Sequence, residues 1–187
     1  MKETNNNLKD IIRLCAKGER RAQNQLFRLT YGKMFSVCIR YAGSHEDARD
    51  IVQEGYIKVF AKLSGFNGKG SFEGWMRRIM VNTAIDSIRR RKLETQSIDE
   101  DEYDRYGVDD TEESWDEILS RETIRVLEAI EKLSPRYRLV FNLYVVEEYS
   151  HQEIAEMLDI SVGASKSNLF KAKKNLIKYL KEETSNE

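Results

Sequence analysis

Aromatic and basic side chains stand close together between residues 66 and 92, and this combination suits the binding of single-stranded nucleic acid. Phe66, Phe72 and Trp75 could stack on exposed bases, while the neighbouring arginines could hold the phosphate backbone. The glycine-rich segment 65–70 could close around a base that has left its stack. The same spacing is also expected if these aromatic side chains simply belong to the hydrophobic core. The candidate residues are Phe66, Asn67, Phe72, Trp75, Arg77, Arg78, Asn82, Arg89 and Arg90.

A second basic segment, from residue 160 to residue 181, contains six lysines and no acidic residue. It follows a short predicted helix and a three-residue turn, and this order is typical of a helix-turn-helix, whose second helix enters the major groove. Lys and Asn side chains can read base edges there, and Ser and Lys side chains can bind phosphates. A helical corner with a lysine-rich exposed face would explain the same pattern without DNA. The candidate residues are Ser165, Lys166, Ser167, Asn168 and Lys171.

The third predicted helix carries a polar patch that has a different character. Ser44 is suited to cap the first turn of this helix, with Asp47 three residues later as the second half of a capping box. Four polar side chains, three or four residues apart, then share one side of the helix. We name them the acidic patch; it could bind a protein partner, or it could be a solvated helix face. The acidic patch consists of Asp47, Asp50, Gln53 and Glu54.

Helices must position all three groups, because apolar residues recur every three or four positions almost throughout the chain and Pro135 is the only proline. Charge divides the chain: residues 1–92 contain 19 Lys or Arg against 9 Asp or Glu, whereas residues 93–117 contain 1 against 12. The sequence therefore predicts an all-α protein with two small helical domains, at 1–95 and 117–187, joined by a flexible acidic linker at 96–116. The second domain would contain the helix-turn-helix.

The sequence argues against several other classes of protein. No apolar run approaches the roughly 20 residues that span a bilayer, and the N-terminus lacks the apolar core of a secretory signal, so we expect a cytoplasmic protein without membrane insertion. Cys15 and Cys38 are not spaced for a metal site with either histidine, so we expect reduced thiols, no metal and no cofactor. His45, Glu46 and Asp47 could serve a hydrolase, but adjacent residues at a helix start diverge, and we expect no enzyme.

Three blocks of the sequence together resemble the extracytoplasmic-function (ECF) sigma factors, which are two-domain sigma subunits of bacterial RNA polymerase. Residues 47–54 are similar to the polymerase-binding region 2.2 of that family, and residues 72–90 to its −10 recognition and melting regions 2.3 and 2.4. Residues 137–141 and 150–169 are similar to its −35-binding region 4. The resemblance covers residues 8–181, and the order and spacing of the three blocks make it specific. Asp159 stands where the family most often has glycine.

The resemblance implies a protein that binds core RNA polymerase, recognises the −35 and −10 promoter elements and opens the DNA, without covalent chemistry of its own. The acidic patch would face the clamp helices of the largest polymerase subunit, and the polymerase flap would be a further contact. The candidates in 66–90 would bind single-stranded −10 DNA, those in 165–171 would bind the −35 duplex, and the linker would thread toward the active centre. An anti-sigma protein is an expected partner. The alternative is a dimeric helix-turn-helix regulator that acts without being a polymerase subunit.

Overall fold

The computed structural model describes the backbone of residues 2–94 and 121–184 and the side chains of residues 8–91 and 125–181. These ranges contain helices and no strand, so the all-α prediction is confirmed. The chain divides into two compact units, Met1–Gln96 and Ser97–Glu187. The domain limits drawn above stay a prediction, because the acidic linker at 96–116 lies outside the described residues. The helices are α1 (Lys2–Ala16), α2 (Arg20–Cys38), α3 (His45–Lys62), α4 (Phe72–Glu94), α5 (Arg121–Glu131), α6 (Pro135–Phe141), α7 (His151–Leu158) and α8 (Val162–Thr184).

Local sequence signals set the limits of the first helices. Gly18 turns the chain after α1 with a φ of +82°, a left-handed conformation that glycine adopts without a steric penalty. Ser44 caps α3, because its Oγ accepts a hydrogen bond from Asp47 N over 3.1 Å, as predicted. The capping box is incomplete, however. The Asp47 carboxylate accepts a hydrogen bond from Arg91 instead of turning back to the cap.

Helix α4 is the centre of the N-terminal unit and packs against α2 and α3. Met76, Met80 and Val81 are completely buried, and so is Thr83, whose Oγ1 donates to Ile79 O over 2.8 Å. Burial on several sides leaves only part of the surface of α4 to solvent. Three exposed residues, spaced by four and then seven positions, lie on one side of α4. We name them the α4 strip: Arg78, Asn82 and Arg89.

Helices α3 and α4 approach each other closely at Gly55. A Cβ atom built on Gly55 would overlap Met80 Sδ and would lie 3.1 Å from Met80 Cε. Met80 is itself completely buried. A glycine inside a helix costs about 1 kcal/mol relative to alanine, so Gly55 is explained by the packing of the two helices.

The C-terminal unit is built around α8, which packs against α5, α6 and α7. Its core includes Ala129, Leu133, Ala172 and Leu176. Pro135 occupies the first turn of α6 as predicted, but the side chain of the preceding Ser134 makes no capping hydrogen bond. A short π-helical turn, Asn142–Val146, follows α6 and leads into α7.

The predicted three-residue turn between the helices of the helix-turn-helix is present. Ser150 and Glu153 form a complete capping box at the start of α7, with Ser150 N donating to Glu153 Oε2 over 2.9 Å. Asp159 ends α7 at φ 54° and ψ 51°, a left-handed conformation that Asp tolerates better than most residues. Ser161 Oγ then accepts a hydrogen bond from Ala164 N over 3.0 Å and caps α8.

Candidate nucleic-acid interface

The four residues of the acidic patch do not share one environment. Asp50 and Gln53 are exposed, whereas Asp47 and Glu54 are partly buried and face α4. Arg91 Nη1 lies 2.7 Å from Asp47 Oδ2, and Arg90 Nη2 lies 2.6 Å from Glu54 Oε2. The sequence predicts all four on one side of α3, but in the structure only Asp50 and Gln53 present their side chains without an ion pair to α4.

Glu54 belongs to a wider group of charges, which we name the ion-pair network: Arg90, Glu54, Lys58 and Asp86. Lys58 Nζ lies 3.0 Å from Glu54 Oε1 and 3.1 Å from Asp86 Oδ2. Partial burial alone would raise the pKa of Glu54, but hydrogen bonds from Arg90 and Lys58 outweigh it and lower the pKa. Burial would likewise lower the pKa of Lys58, and its two carboxylate partners raise it. The network therefore ties α3 to α4.

Three aromatic rings at the start of α4 form an aromatic cluster of Phe66, Phe72 and Trp75. The ring centroids of Phe66 lie 5.1 Å from Phe72 and 5.3 Å from Trp75, and those of Phe72 and Trp75 lie 5.6 Å apart. Phe66 and Trp75 are partly exposed, but Phe72 is only 8% exposed. Phe72 therefore packs under the other two rings, which suits a supporting role, and its part in DNA binding stays a prediction.

The loop before α4 has the backbone conformation that its glycines permit. Gly68 and Gly70 have φ values of +73° and +82°, and a side chain at either position would be strained. Asn67 Oδ1 accepts a hydrogen bond from Lys69 N over 3.0 Å, which closes the tip of the loop. Ser71 Oγ accepts one from Gly74 N over 2.9 Å and starts α4. The exposed Asn67 thus stands beside the aromatic cluster on a defined turn.

The recognition helix α8 presents most, but not all, of its candidates. Lys166, Ser167 and Lys171 are exposed, and Asn168 is partly exposed. Ser165 is 0% exposed, and its Oγ forms a hydrogen bond with His151 Nδ1 over 2.9 Å. The prediction that Ser165 contacts DNA is therefore wrong, because this side chain lies in the interface between α7 and α8. We name the other four residues the recognition face.

The His151 side chain lies in the interface between α7 and α8. Its ring stacks on Tyr144 with centroids 4.5 Å apart, and Lys173 Nζ lies 5.9 Å from the Tyr144 centroid. Desolvation lowers the pKa of His151, and the positive charges of Lys166 and Lys173 lower it further. The neutral imidazole therefore holds the hydrogen bond to Ser165.

Two surface features were not predicted from the sequence. Phe170 is 70% exposed on α8, beside the recognition face. Its position one residue after the buried Leu169 places it off the apolar stripe of α8, and this spacing is a signal that could have identified it. The second feature is a groove of about 430 Å³ between α2 and α3, lined by Phe27, Tyr31, Arg49, Val52, Gln53, Tyr56, Ile57 and Phe60.

The described helices include none that is long and apolar enough to cross a membrane. Among the side chains of residues 8–91 and 125–181, no three or more metal-ligating groups cluster together. Cys15 and Cys38 are buried free thiols. Burial raises the pKa of Cys38 to about 12, with a smaller opposing effect of Arg40, so this thiol is a protonated core side chain.

Comparison with known proteins places both halves of the chain in one family. Residues 26–94 match the family model for sigma-70 region 2, and residues 123–176 match the model for sigma-70 region 4. The chain is 29% identical over 182 residues to the ECF RNA polymerase sigma factor SigW of Bacillus subtilis, covering 94% of this chain and 97% of that protein. It is also 29% identical over 163 residues to the sigma factor SigE of Mycolicibacterium smegmatis, covering 87% of this chain and 63% of that protein.

A solved structure gives the same result for the fold. The sigma factor RpoE of Bartonella quintana, in complex with the anti-sigma factor NepR, matches with a TM-score of 0.56 and 23% identity over 84% of this chain and 96% of that one. These matches do not favour the dimeric regulator, since regions 2 and 4 occur in the order expected of a sigma subunit. The chain belongs to the ECF sigma factors, the subunits that direct bacterial RNA polymerase to promoters.

Proposed function

We propose that the exposed half of the acidic patch, Asp50 and Gln53, binds the clamp helices of the largest polymerase subunit. The observation that carries this proposal is the groove of about 430 Å³ beside it. Gln53 and Ile57 line the groove, and Ile57 is a large exposed apolar side chain. A partner helix could insert apolar side chains into this groove while its polar groups meet Asp50 and Gln53. Asp47 and Glu54 contribute indirectly, because their ion pairs hold α3 against α4.

We further propose that the α4 strip and the aromatic cluster bind the −10 element as a single strand. The three side chains of the strip share one exposed surface, and Arg77 and Arg90 flank it. Cations on such a surface can follow a phosphate backbone while aromatic rings stack on bases. Phe66 and Trp75 supply partly exposed rings, and Asn67 supplies a hydrogen-bonding amide on the adjoining turn. Phe72 fixes the position of both rings.

The recognition face of α8 is proposed to bind the −35 duplex in the major groove. Lys166 and Lys171 can contact phosphates or guanine, Ser167 can contact phosphates, and Asn168 can pair with adenine. The capping box of α7 and the left-handed Asp159 support this role, because they fix the angle at which α8 leaves the turn. The hydrogen bond between His151 and Ser165 supports the same angle from inside the crossing.

The remaining proposals follow from the family. The linker at 96–116 would pass toward the polymerase active centre, the C-terminal unit would contact the flap, and an anti-sigma protein would bind the free chain. The Bartonella quintana relative is bound to such a protein. The chain would act in the cytoplasm, where the polymerase transcribes, and it would initiate transcription without carrying out covalent chemistry itself.

In vitro transcription with core polymerase on a promoter fragment library tests the proposal. The wild-type chain should create new start sites, and the variant Asp50→Ala/Gln53→Ala should lose them together with co-elution with the core enzyme. The matched control is Asp10→Ala/Gln25→Ala, which removes one exposed acid and one exposed amide from α1 and α2 and should leave the start sites unchanged. Normal start sites with the Asp50 and Gln53 variant would refute the proposed polymerase contact.

A further inference from the structure

The turn between α1 and α2 and the exposed face of α2 carry cations that the proposed function does not use. We name them the α2 strip: Lys17, Arg20, Arg21 and Arg28. All four side chains are exposed, and none of them forms an ion pair or a hydrogen bond with another side chain that the structure describes. Glu19 is the only acidic residue between positions 17 and 28. The strip is therefore a surface of unpaired positive charge.

Helix stability does not explain the α2 strip. The first turn of α2 contains no acidic residue and begins with Arg20 and Arg21, although the N-terminal end of a helix carries partial positive charge and disfavours cations. Arg28 stands two turns after Arg21 and so lies on the same face of α2. Like charges gathered on one small domain also repel one another. Such a surface is typical of a protein that binds a polyanion.

The exposed side of α2 reaches the aromatic cluster. Lys33 lies about 7.5 Å beyond Arg28 along the axis of α2, and its Nζ is 2.7 Å from Glu73 Oε2. Glu73 lies in the first turn of α4, directly after Phe72 and two residues before Trp75. A DNA strand that leaves the rings of the aromatic cluster can therefore continue past Lys33 and along the α2 strip.

We propose that the α2 strip binds the phosphate backbone of the single DNA strand where this strand continues beyond the −10 element. Lysine and arginine hold phosphates without reading bases, whereas stacking on bases would need exposed rings. Phe27, the one aromatic residue between positions 17 and 28, lines the groove against α3 instead. The contact is therefore independent of sequence. Continuity with the aromatic cluster favours a nucleic acid over an acidic protein segment. This inference rests on the proposed binding of the −10 element by that cluster.

Single-stranded oligonucleotides of two lengths test the proposal. Holoenzyme made from core polymerase and the full chain first selects a −10 strand from a randomised pool, and the short oligonucleotide contains only the selected element. Two long oligonucleotides extend it on the 5′ or the 3′ side by about six nucleotides, because Lys33 and Arg20 lie about 20 Å apart along α2 and phosphates follow one another about every 3.4 Å. Binding is measured from about 50 mM to about 200 mM salt.

The variant Arg21→Gln/Arg28→Gln removes two cations of the strip. Each phosphate contact on a single strand adds about 0.7 to the slope of log affinity against log salt, so the variant should lower that slope by about 1.4 on one long oligonucleotide. Over this salt range the wild-type affinity for that oligonucleotide should therefore fall about sevenfold more than the affinity of the variant. Binding of the short oligonucleotide should be unchanged.

Two control variants isolate the effect of charge at these positions. Arg21→Lys/Arg28→Lys keeps both charges and should bind as the wild type does. Lys62→Gln/Arg136→Gln removes the same net charge from exposed positions outside the α2 strip, on α3 and α6, and should leave the slope unchanged. Circular dichroism should show all three variants folded, since none of the four side chains is in the core.

The remaining outcomes each overturn a different statement. If both long oligonucleotides bind no more tightly than the short one, or if Arg21→Gln/Arg28→Gln keeps the wild-type slope, the α2 strip does not bind the strand and the −10 role of the aromatic cluster stands. If this variant instead loses co-elution with core polymerase, the strip binds the polymerase and the inference is wrong. If no −10 strand is enriched from the pool, the proposed −10 role is refuted, and the inference falls with it.

Discussion

The close contact between α3 and α4 at Gly55 makes a sharp prediction about stability. Alanine at this position would place its Cβ against Met80 Sδ and 3.1 Å from Met80 Cε. Met80 is completely buried, so any shift of its side chain must be accommodated within the core. We therefore expect Gly55→Ala to destabilise the N-terminal unit, although alanine is the better helix former.

The magnitude follows from two opposing effects. Replacing a helical glycine by alanine stabilises a helix by about 1 kcal/mol, whereas overpacking a core costs about 1–3 kcal/mol. Gly32 allows the helix-propensity effect to be measured without the packing effect. It also lies inside a helix, α2, but a Cβ there would meet nothing within 4 Å. Gly32→Ala should stabilise the protein by up to about 1 kcal/mol. The difference between the two variants should then equal the packing cost, about 1–3 kcal/mol.

Urea denaturation of the full chain, followed by circular dichroism, measures both changes in the free energy of unfolding. Hydrogen exchange of α3 and α4 peptides assigns the change from Gly55→Ala to the N-terminal unit. A third variant, Gly55→Ala/Met80→Ala, removes the obstructing side chain and should lose less stability than the sum of its two single changes. If Gly55→Ala stabilises the chain as much as Gly32→Ala does, the packing explanation is wrong.

Two further predictions concern the helix-turn-helix. Ser150→Ala should lower the protection of α7 amides in hydrogen exchange by about 1 kcal/mol, whereas Ser134→Ala, whose side chain makes no capping bond, should change α6 little; equal effects would contradict the capping argument. The second prediction concerns His151, whose pKa in the folded chain is below its usual value. Its contribution to the stability of the folded chain is therefore fully present above the unfolded pKa of about 6.5. That contribution is lost as the pH falls through the folded pKa. Thermal melting is measured from about pH 7.5 to about pH 5, the range in which histidine titrates. The wild type should lose stability more steeply than His151→Gln as the pH falls. Parallel curves for the two proteins would contradict this assignment.

Features set by neighbouring residues were predicted well from the sequence. The caps at Ser44 and Ser150 are each formed with a residue three positions later, and both are confirmed. The left-handed turn at Asp159 follows from the short interval between two apolar patterns and from the tolerance of Asp for that conformation. These signals need no knowledge of how the helices pack.

Features that depend on distant residues were not predicted. Arg90 and Glu54 are 36 positions apart, and no periodicity indicates that they pair. Gly55 could be explained only when Met80 was seen beside it. The hydrogen bond between Ser165 and His151 of the preceding helix was likewise not predicted from the sequence.

The ion-pair network has a consequence for the thermodynamics of association. Glu54 and Lys58 join α3 to α4, and these ion pairs help to restrain the two helices relative to each other once the chain has folded. Binding usually loses free energy through the ordering of mobile groups. If α3 and α4 make the contacts proposed above, part of that conformational entropy has already been lost on folding and is not lost again on binding.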